Sequence, residues 1–320
     1  MTWLVTGGAG YIGAHVVRAM VRDGQQVVAL DDLSTGARDR VDPGAAFVLG
    51  SVLDADLLAR VFAEHEVHGV VHIAAKKQVG ESVARPLLYW RENLSGLVEL
   101  LSACQQSGVD RFVFSSSAAT YGLPDVDAVT EDTAGVPLSP YGETKLVGEW
   151  VLRDCGTAFG LRTMSMRYFN VAGAAAPELG DVGVFNLIPM VFERLEAGEK
   201  PRVFGADYPT PDGTCVRDYV HVADIADAHL AAARALDDGA PSATYNIGRG
   251  EGSSVLDVLT VVGEVTGLDS SPEVVERRAG DPARIVANVE RIRAELGFSA
   301  QHDLRSMVQS AWAGWQLRHP

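Results

Sequence analysis

Short apolar runs alternate with longer amphipathic stretches through the first 170 residues. Trp3–Thr6, Gln26–Asp31, Ala46–Leu49, Gly69–Ile73, Arg111–Ser115 and Arg162–Tyr168 are brief, rich in Val and Ile, and predict buried strands. Between them Tyr11–Arg22, Leu57–Glu64 and Pro140–Phe159 carry apolar residues at helical spacing. Strands that alternate with helices in this way pair in parallel, because each crossover needs a long return of the chain. The pattern predicts the α/β class, with a doubly wound, Rossmann-type parallel sheet. After about residue 173 the regularity lapses. Pro, Gly and Asp crowd Ala174–Gly183 and Ala206–Gly213, which predicts irregular loops. Helices return at Val222–Leu236, Val255–Thr266, Glu290–Gly297 and Leu304–Leu317. No polar linker or internal repeat intervenes. The expected organisation is a Rossmann domain over 1–173 plus about 221–250, and a smaller C-terminal substrate domain over 174–220 and about 251–320.

Composition narrows the classes of partner. The 320 residues carry 42 acidic and 27 basic side chains, a net charge of −15. That balance argues against nucleic acid or an anionic membrane as a partner. Any anionic ligand must then be met by a few placed cations or by helix N-termini. Cys104, Cys155 and Cys215 have neither the number nor the spacing of a disulfide framework or a zinc site, so no metal is expected. The chain opens directly on a strand-like segment, and no apolar run approaches the length of a membrane span. These features predict a soluble, cytoplasmic protein.

The first strand runs into Thr6-Gly7-Gly8-Ala9-Gly10-Tyr11-Ile12-Gly13, a Gly-x-x-Gly-x-x-Gly loop that opens a helix. Glycines at Gly7, Gly10 and Gly13 let a backbone turn tightly and let a pyrophosphate approach the helix N-terminus. Asp31 closes the second strand 18 residues beyond Gly13, where a carboxylate accepts hydrogen bonds from an adenosine ribose. A carboxylate there repels a 2′-phosphate, which favours NAD over NADP. The plainer alternative is a tight βα turn with Asp31 capping a loop.

Ser139 and Pro140 predict a helix start, which puts Tyr141 and Lys145 four apart on one face. With eight tyrosines and only four lysines, an accidental Tyr-x-x-x-Lys pair has roughly one chance in ten. The chemistry favours the pair, since a phenol near pKa 10 becomes a base at neutral pH only beside a cation. Ser117, at the end of the fifth strand, would hold the substrate oxygen and relay its proton. Otherwise Tyr141 is a helix-start aromatic on the core and Lys145 part of a solvated face.

With these residues, the chain resembles the extended short-chain dehydrogenases/reductases, and within them the UDP-glucose 4-epimerase family. The matching stretches run from residue 5 to about 288. They are Val5–Gly13, Val79-Gly80-Glu81-Ser82, Phe114–Ala118, Ser139–Gly142, Arg167–Asn170, Asp207–Thr210 with Asp212-Gly213-Thr214, and Arg217–Val222. The first half marks the superfamily, whereas Asp-Tyr-Pro-Thr with Arg-Asp-Tyr is the specific part. The resemblance implies catalysis by Ser117, Tyr141 and Lys145. It implies NAD contacts at Gly7, Gly10, Tyr11, Ile12, Gly13, Asp31, Lys77, Asn93, Tyr141, Lys145 and Tyr168. It places a UDP-hexose on Ser117, Tyr141, Phe169, Asn170, Asn186, Arg217, Arg278 and Asp281, the arginines on the diphosphate. By family position Ile285 lines the wall at the sugar's carbon 2. Its plainer alternative is a core residue of a strand over Arg284–Ala287, and that of Arg278 and Asp281 is a surface ion pair.

The implied activity is reversible epimerisation of UDP-glucose and UDP-galactose at carbon 4 through a 4-keto-hexose. A homodimer is implied through Val83–Gln106 and Pro140–Phe159. Two departures stand out: Ser51 replaces the family's usual aspartate at the adenine, and Ala75 a glycine of some members. Three rivals remain. One acts on UDP-N-acetylhexosamines or another UDP-sugar. A nucleotide-sugar 4,6-dehydratase would need an Asp-Glu pair where Ala118-Ala119 stand. A non-catalytic dinucleotide-binding protein would not need Ser, Tyr and Lys together.

Overall fold

The computed structural model describes residues 1–278 and 280–319. From the amino terminus come β1 (Thr2–Thr6), α1 (Tyr11–Arg22), β2 (Gln26–Asp31), β3 (Ala46–Leu49), α2 (Ala55–Glu64) and β4 (Val67–His72). Next are α3 (Val79–Ala84), α4 (Pro86–Tyr89), α5 (Gly96–Ser107), β5 (Arg111–Ser117), α6 (Pro140–Phe159) and β6 (Arg162–Tyr168). Then follow β7 (Asn170–Ala172), α7 (Leu187–Glu196), β8 (Arg202–Phe204), β9 (Val216–His221), α8 (Val222–Asp237) and β10 (Ala243–Ile247). The chain ends with β11 (Gly252–Ser254), α9 (Val255–Thr266), β12 (Glu273–Val275), β13 (Arg284–Ile285), α10 (Glu290–Leu296) and α11 (Leu304–Arg318).

Seven strands form a central parallel sheet in the order β10-β6-β5-β4-β1-β2-β3. All five residues of β1 are buried, which is why its sequence shows no polar alternation. Strand order reverses at β1, whose Val5 registers with Ala29 of β2 and Val71 of β4. Such a switch point opens a crevice at the carboxyl ends of the strands.

By contacts the chain divides into two units. One comprises Met1–Tyr121, Gly135–Arg167 and Ala226–Tyr245, and the other Gly122–Ala134, Tyr168–Ile225 and Asn246–Pro320. The first has a core that includes Leu4, Leu30, Leu58, Leu100, Phe112 and Leu152. The second packs Phe192, Val258, Met307 and Trp315, with the Phe192 ring edge-on to Trp312 at 4.9 Å. Its four-stranded sheet joins β7, β11 and β13 to β9. Asp218 of β9 is fully buried and accepts the backbone N–H groups of Arg249, Gly250 and Ala287 at 2.8, 2.9 and 3.1 Å. Burial pushes its carboxyl up to about 6 against those donors. That clamp fixes the turn after β10 and the approach of β13.

Two segments differ from a plain reading of their sequence. Val83–Gln106 is broken into several helical pieces. Pro86 forces Arg85 out of the helical region (φ −135°, ψ 58°), and Trp90–Ser95 winds as a π-helix before α5. The strand expected over Arg284–Ala287 is ladder-paired only at Arg284–Ile285, with Ala287 making an isolated bridge to Val129. Among the described residues no helix is long and apolar enough to cross a membrane.

Candidate active site

At the carboxyl end of β1 the backbone packs more tightly than side chains permit. Gly7 has φ +71°, and a Cβ there would lie 2.7 Å from the Ala74 nitrogen. A Cβ on Gly13 would stand 1.9 Å from the Gly7 carbonyl oxygen. Helix α1 starts at Gly10, where no side chain caps the first turn, so Tyr11, Ile12 and Gly13 present a helix N-terminus suited to a phosphate. Asp31 is buried and accepts the Ala9 and Leu33 N–H groups at 3.0 and 2.8 Å. Burial raises its carboxyl above the usual range, partly offset by the N–H groups of Leu33, Ala9 and Gly10. A carboxylate has about four acceptor positions, so Asp31 can hold the loop and still receive a ribose hydroxyl. This bare, cradled helix start with its acid fits a dinucleotide.

Lys77 is exposed, its Nζ 5.7 Å from the centre of the Tyr11 ring, and Lys76 Nζ donates to Ser34 Oγ at 3.3 Å. Ser51 Oγ accepts the Leu53 N–H at 3.1 Å and so shapes its own turn. Asn93 is buried with its amide engaged at both ends. It accepts the Lys76 N–H at 2.8 Å and donates to the Lys76 carbonyl at 3.0 Å and to Thr144 Oγ1 at 3.1 Å. It therefore holds the lysine-bearing segment against α6. Tyr168 is buried at the end of β6.

Helix α6 begins as its sequence predicts. Ser139 Oγ accepts the Gly142 N–H at 3.2 Å, and Pro140 takes the first helical position. Lys145 Nζ is buried and donates to the Ser115 carbonyl at 2.6 Å, 6.0 Å from the Tyr141 ring centre. The Ser117 hydroxyl faces the Tyr141 phenol, and its Oγ accepts the Ala119 N–H at 3.1 Å. Burial drives the Lys145 amine down to about 7, with the Glu149 charge pulling the other way. Burial also raises the half-buried Tyr141 phenol, and the Ser117 hydroxyl offsets only part of that. The protein's own groups therefore leave the phenol above its ordinary value, and the expected activation rests on Lys145 together with a nicotinamide cation. Beneath the pair, buried His72 meets Thr6 Oγ1 through Nδ1 at 2.7 Å and stacks on Phe114. Burial, then Lys145, push it down to about 3, so it is neutral.

In this unit, two groups escaped the sequence reading. Tyr89 is buried edge-on to Tyr141, with ring centres 6.5 Å apart, and its hydroxyl donates to Glu81 Oε2 at 3.0 Å. Glu149 pairs with Arg167 of β6 at 2.6 Å. Its position four residues after Lys145, on the same helix face, was the available signal.

In the second unit, Arg217 Nη1 donates to the carbonyls of Val216 and Pro282 at 3.0 and 2.7 Å, and its Nη2 lies 3.7 Å from Asp281 Oδ1. Ile285 registers against Arg217 in the parallel β13–β9 pair and is buried. The structure thus brings Arg217, Asp281 and Ile285 together. Arg278 stacks its guanidinium 3.7 Å over the Phe204 ring, so Asp281 pairs with Arg217 instead. Asn186 precedes α7 and donates to Asp181 Oδ2 at 2.7 Å. Phe169 is buried, its N–H on the Ile247 carbonyl at 3.1 Å, and the exposed Asn170 registers with Tyr219. Arg277, overlooked in the sequence, stacks 4.0 Å over Tyr208 and donates to Asp207 Oδ1 at 2.6 Å.

The glycine-cradled helix start lies in the same unit as Ser117, Tyr141 and Lys145, and residues 3–248 match the model of the NAD dependent epimerase/dehydratase family, to which the chain belongs. Its full-length likeness is to UDP-glucose 4-epimerases. The Azospirillum brasilense UDP-glucose 4-epimerase is 45% identical, over 96% of this chain and 90% of that protein. The Lacticaseibacillus casei enzyme is 42% identical over 100% and 98%. The UDP-glucose 4-epimerase structure from Stenotrophomonas maltophila, with bound NAD and formylated UDP-arabinopyranose, superposes with a TM-score of 0.97 at 39% identity, covering 100% and 99% of the two chains.

Proposed function

We propose that the protein epimerises UDP-glucose and UDP-galactose reversibly at carbon 4, with NAD as its resident cofactor. The observation that carries this reading is Lys145 anchored on the Ser115 carbonyl, with Tyr141 facing Ser117, in the unit that holds the glycine cradle. Gly7–Gly13 and Asp31 would hold the pyrophosphate and ribose, with Lys77 and Tyr168 toward the nicotinamide end. NAD bound there supplies a reversible acceptor for hydrogen from carbon 4 and a positive ring. Tyr141 takes the proton of the 4-hydroxyl, Ser117 orients that oxygen, and Lys145 supports the phenolate. Arg217, Arg278, Asp281 and Asn186 hold the uridine diphosphate, a handle whose binding energy is remote from the reacting carbon. Ala118-Ala119 offer no acid or base for a dehydratase. The test is a spectrum of the purified protein for bound nicotinamide, followed by conversion of UDP-galactose. A 4,6-dehydrated product, or no turnover with cofactor bound, overturns the reading.

Asp31→Ala is expected to weaken NAD binding and relax discrimination against NADP. Because Asp31 also holds the Ala9 N–H, weaker binding alone would report only a loosened loop. The NAD-to-NADP affinity ratio is the decisive measurement, and an unchanged ratio removes Asp31 as the ribose reader.

Ile285 is proposed as the wall at the sugar's carbon 2. Its branched side chain is stiff at the first torsion and smaller than an aromatic. UDP-N-acetylglucosamine is therefore expected to be turned over less efficiently than UDP-galactose, and Ile285→Tyr to lose that activity selectively. Comparing both substrates in both proteins decides it; N-acetyl activity that survives the substitution excludes Ile285 as the gate.

The same reading proposes a homodimer. Val83, Leu87, Val98 and Trp150 of α3 to α6 are exposed apolar side chains, Leu87 at 81%. Sedimentation at micromolar concentration is expected to show a dimer, and Leu87→Glu with Trp150→Glu a monomer. A wild-type monomer refutes the assignment. The three unpaired cysteines suit a reducing cytoplasm.

A further inference from the structure

Two successive residues near the end of β5 are fastened to α6. The Ser115 carbonyl accepts Lys145 Nζ at 2.6 Å and Ser116 Oγ donates to Glu149 Oε1 at 2.5 Å, while the Ser117 hydroxyl that follows faces the Tyr141 phenol. Tyr141, Lys145 and Glu149 recur every four residues and so share one face of the helix. The Glu149 side chain is 9% exposed, and Arg167 donates to both its oxygens, Nε at 2.9 Å and Nη2 at 2.6 Å. Arg167 is itself held by the Tyr121 hydroxyl, to which Nη1 donates at 2.9 Å. A buried carboxylate is costly unless its lone pairs are met, and here Ser116 and Arg167 meet them. Proton abstraction by a tyrosine beside a lysine does not by itself call for such a group one turn past the lysine.

We propose that Glu149 is a positioning residue for the Tyr141–Lys145 pair: fixed by Ser116 and Arg167, it holds the strand end against α6 and supplies the negative charge that keeps the Lys145 ammonium protonated. This rests on the reading of Tyr141 as the base. The groups that face Lys145 are the Phe114 ring and the Ser115 carbonyl on β5, neutral His72 on β4, and Tyr141 and Glu149 on its own helix. Glu149 alone among these brings a negative charge at neutral pH. Without it Lys145 loses its proton at lower pH, and the phenolate loses its support.

The experiment compares wild type with Glu149→Gln, which keeps the shape and removes the charge. The kcat–pH profile for UDP-galactose is expected to narrow, with the acid limb rising and the alkaline limb falling by about one unit each. KM is expected to stay within about twofold. Independently of turnover, the phenolate absorbance that Tyr141→Phe abolishes is expected to titrate about one unit higher in the Glu149→Gln background. Ser116→Ala, which keeps the charge and removes the fastening, is expected to lower kcat without moving either limb. If Glu149→Gln does not fold, Glu149→Gln with Arg167→Gln removes both buried charges and takes its place. Unmoved limbs and an unmoved phenolate titration in whichever variant folds overturn the proposal. A wild type that does not turn over UDP-galactose overturns the functional reading instead, and the phenolate titration still judges Glu149.

Discussion

Tyr141→Phe is expected to lower epimerase activity about 10²–10⁴-fold, the usual cost of losing a general base. The substitution removes one oxygen from a half-buried ring packed edge-on to Tyr89, so the fold and the NAD content should be retained. What disappears is the phenol oxygen that faces Ser117 and is proposed to take the proton of the 4-hydroxyl. The loss should fall on kcat, with KM for UDP-galactose little changed, because the uridine diphosphate handle is untouched. A pre-steady-state assay, with cofactor content read from the absorbance spectrum, checks both parts. More than half the wild-type activity in a fully loaded variant excludes Tyr141 as the base.

The elements that bear this site were readable because their signals are local. Ser139 and Pro140 announce the start of α6, and Gly160 in a left-handed conformation ends it, so its boundaries match the sequence reading to the residue. The same holds for α1 and for α9, which Ser254 and Asp257 open with a reciprocal capping box. Strand β10 was not singled out, although it completes one edge of the sheet. The π-helical turn at Trp90–Ser95 has no periodic signature. It is fixed by Asn93 reaching Lys76 and Thr144, partners 17 and 51 residues away.

Side-chain partnership in loops was the least legible part. Arg278 and Asp281 sit three apart, and nothing in that spacing says that one stacks on Phe204 while the other turns to Arg217. Arg167 is similar: its pairing with Glu149 depends on β6 lying beside β5 in the sheet, a tertiary fact. The motif-bearing residues were found because chemistry confines them to short spacings. The residues that hold them were missed because packing, not spacing, brings them into place.

Gly13→Ala should be the most damaging single-methyl change in the dinucleotide cradle. The added carbon would stand 1.9 Å from the Gly7 oxygen and 2.7 Å from the Gly7 carbonyl carbon, both backbone atoms that no rotamer can move. Either the first turn of α1 or the loop must withdraw. Gly7 cannot easily give way, since its own α-carbon faces the Ala74 backbone and its N–H is held by the Leu30 carbonyl at 2.8 Å. Overpacking of this kind costs about 1–3 kcal/mol or more, which as lost affinity is roughly 5- to 150-fold. The loss should appear first as protein purified with little nicotinamide, then as a lower thermal midpoint that added NAD only partly restores. A Gly13→Ala protein that retains stoichiometric NAD and the wild-type midpoint would show that the cradle relaxes freely, and that its glycines are not what shapes the site.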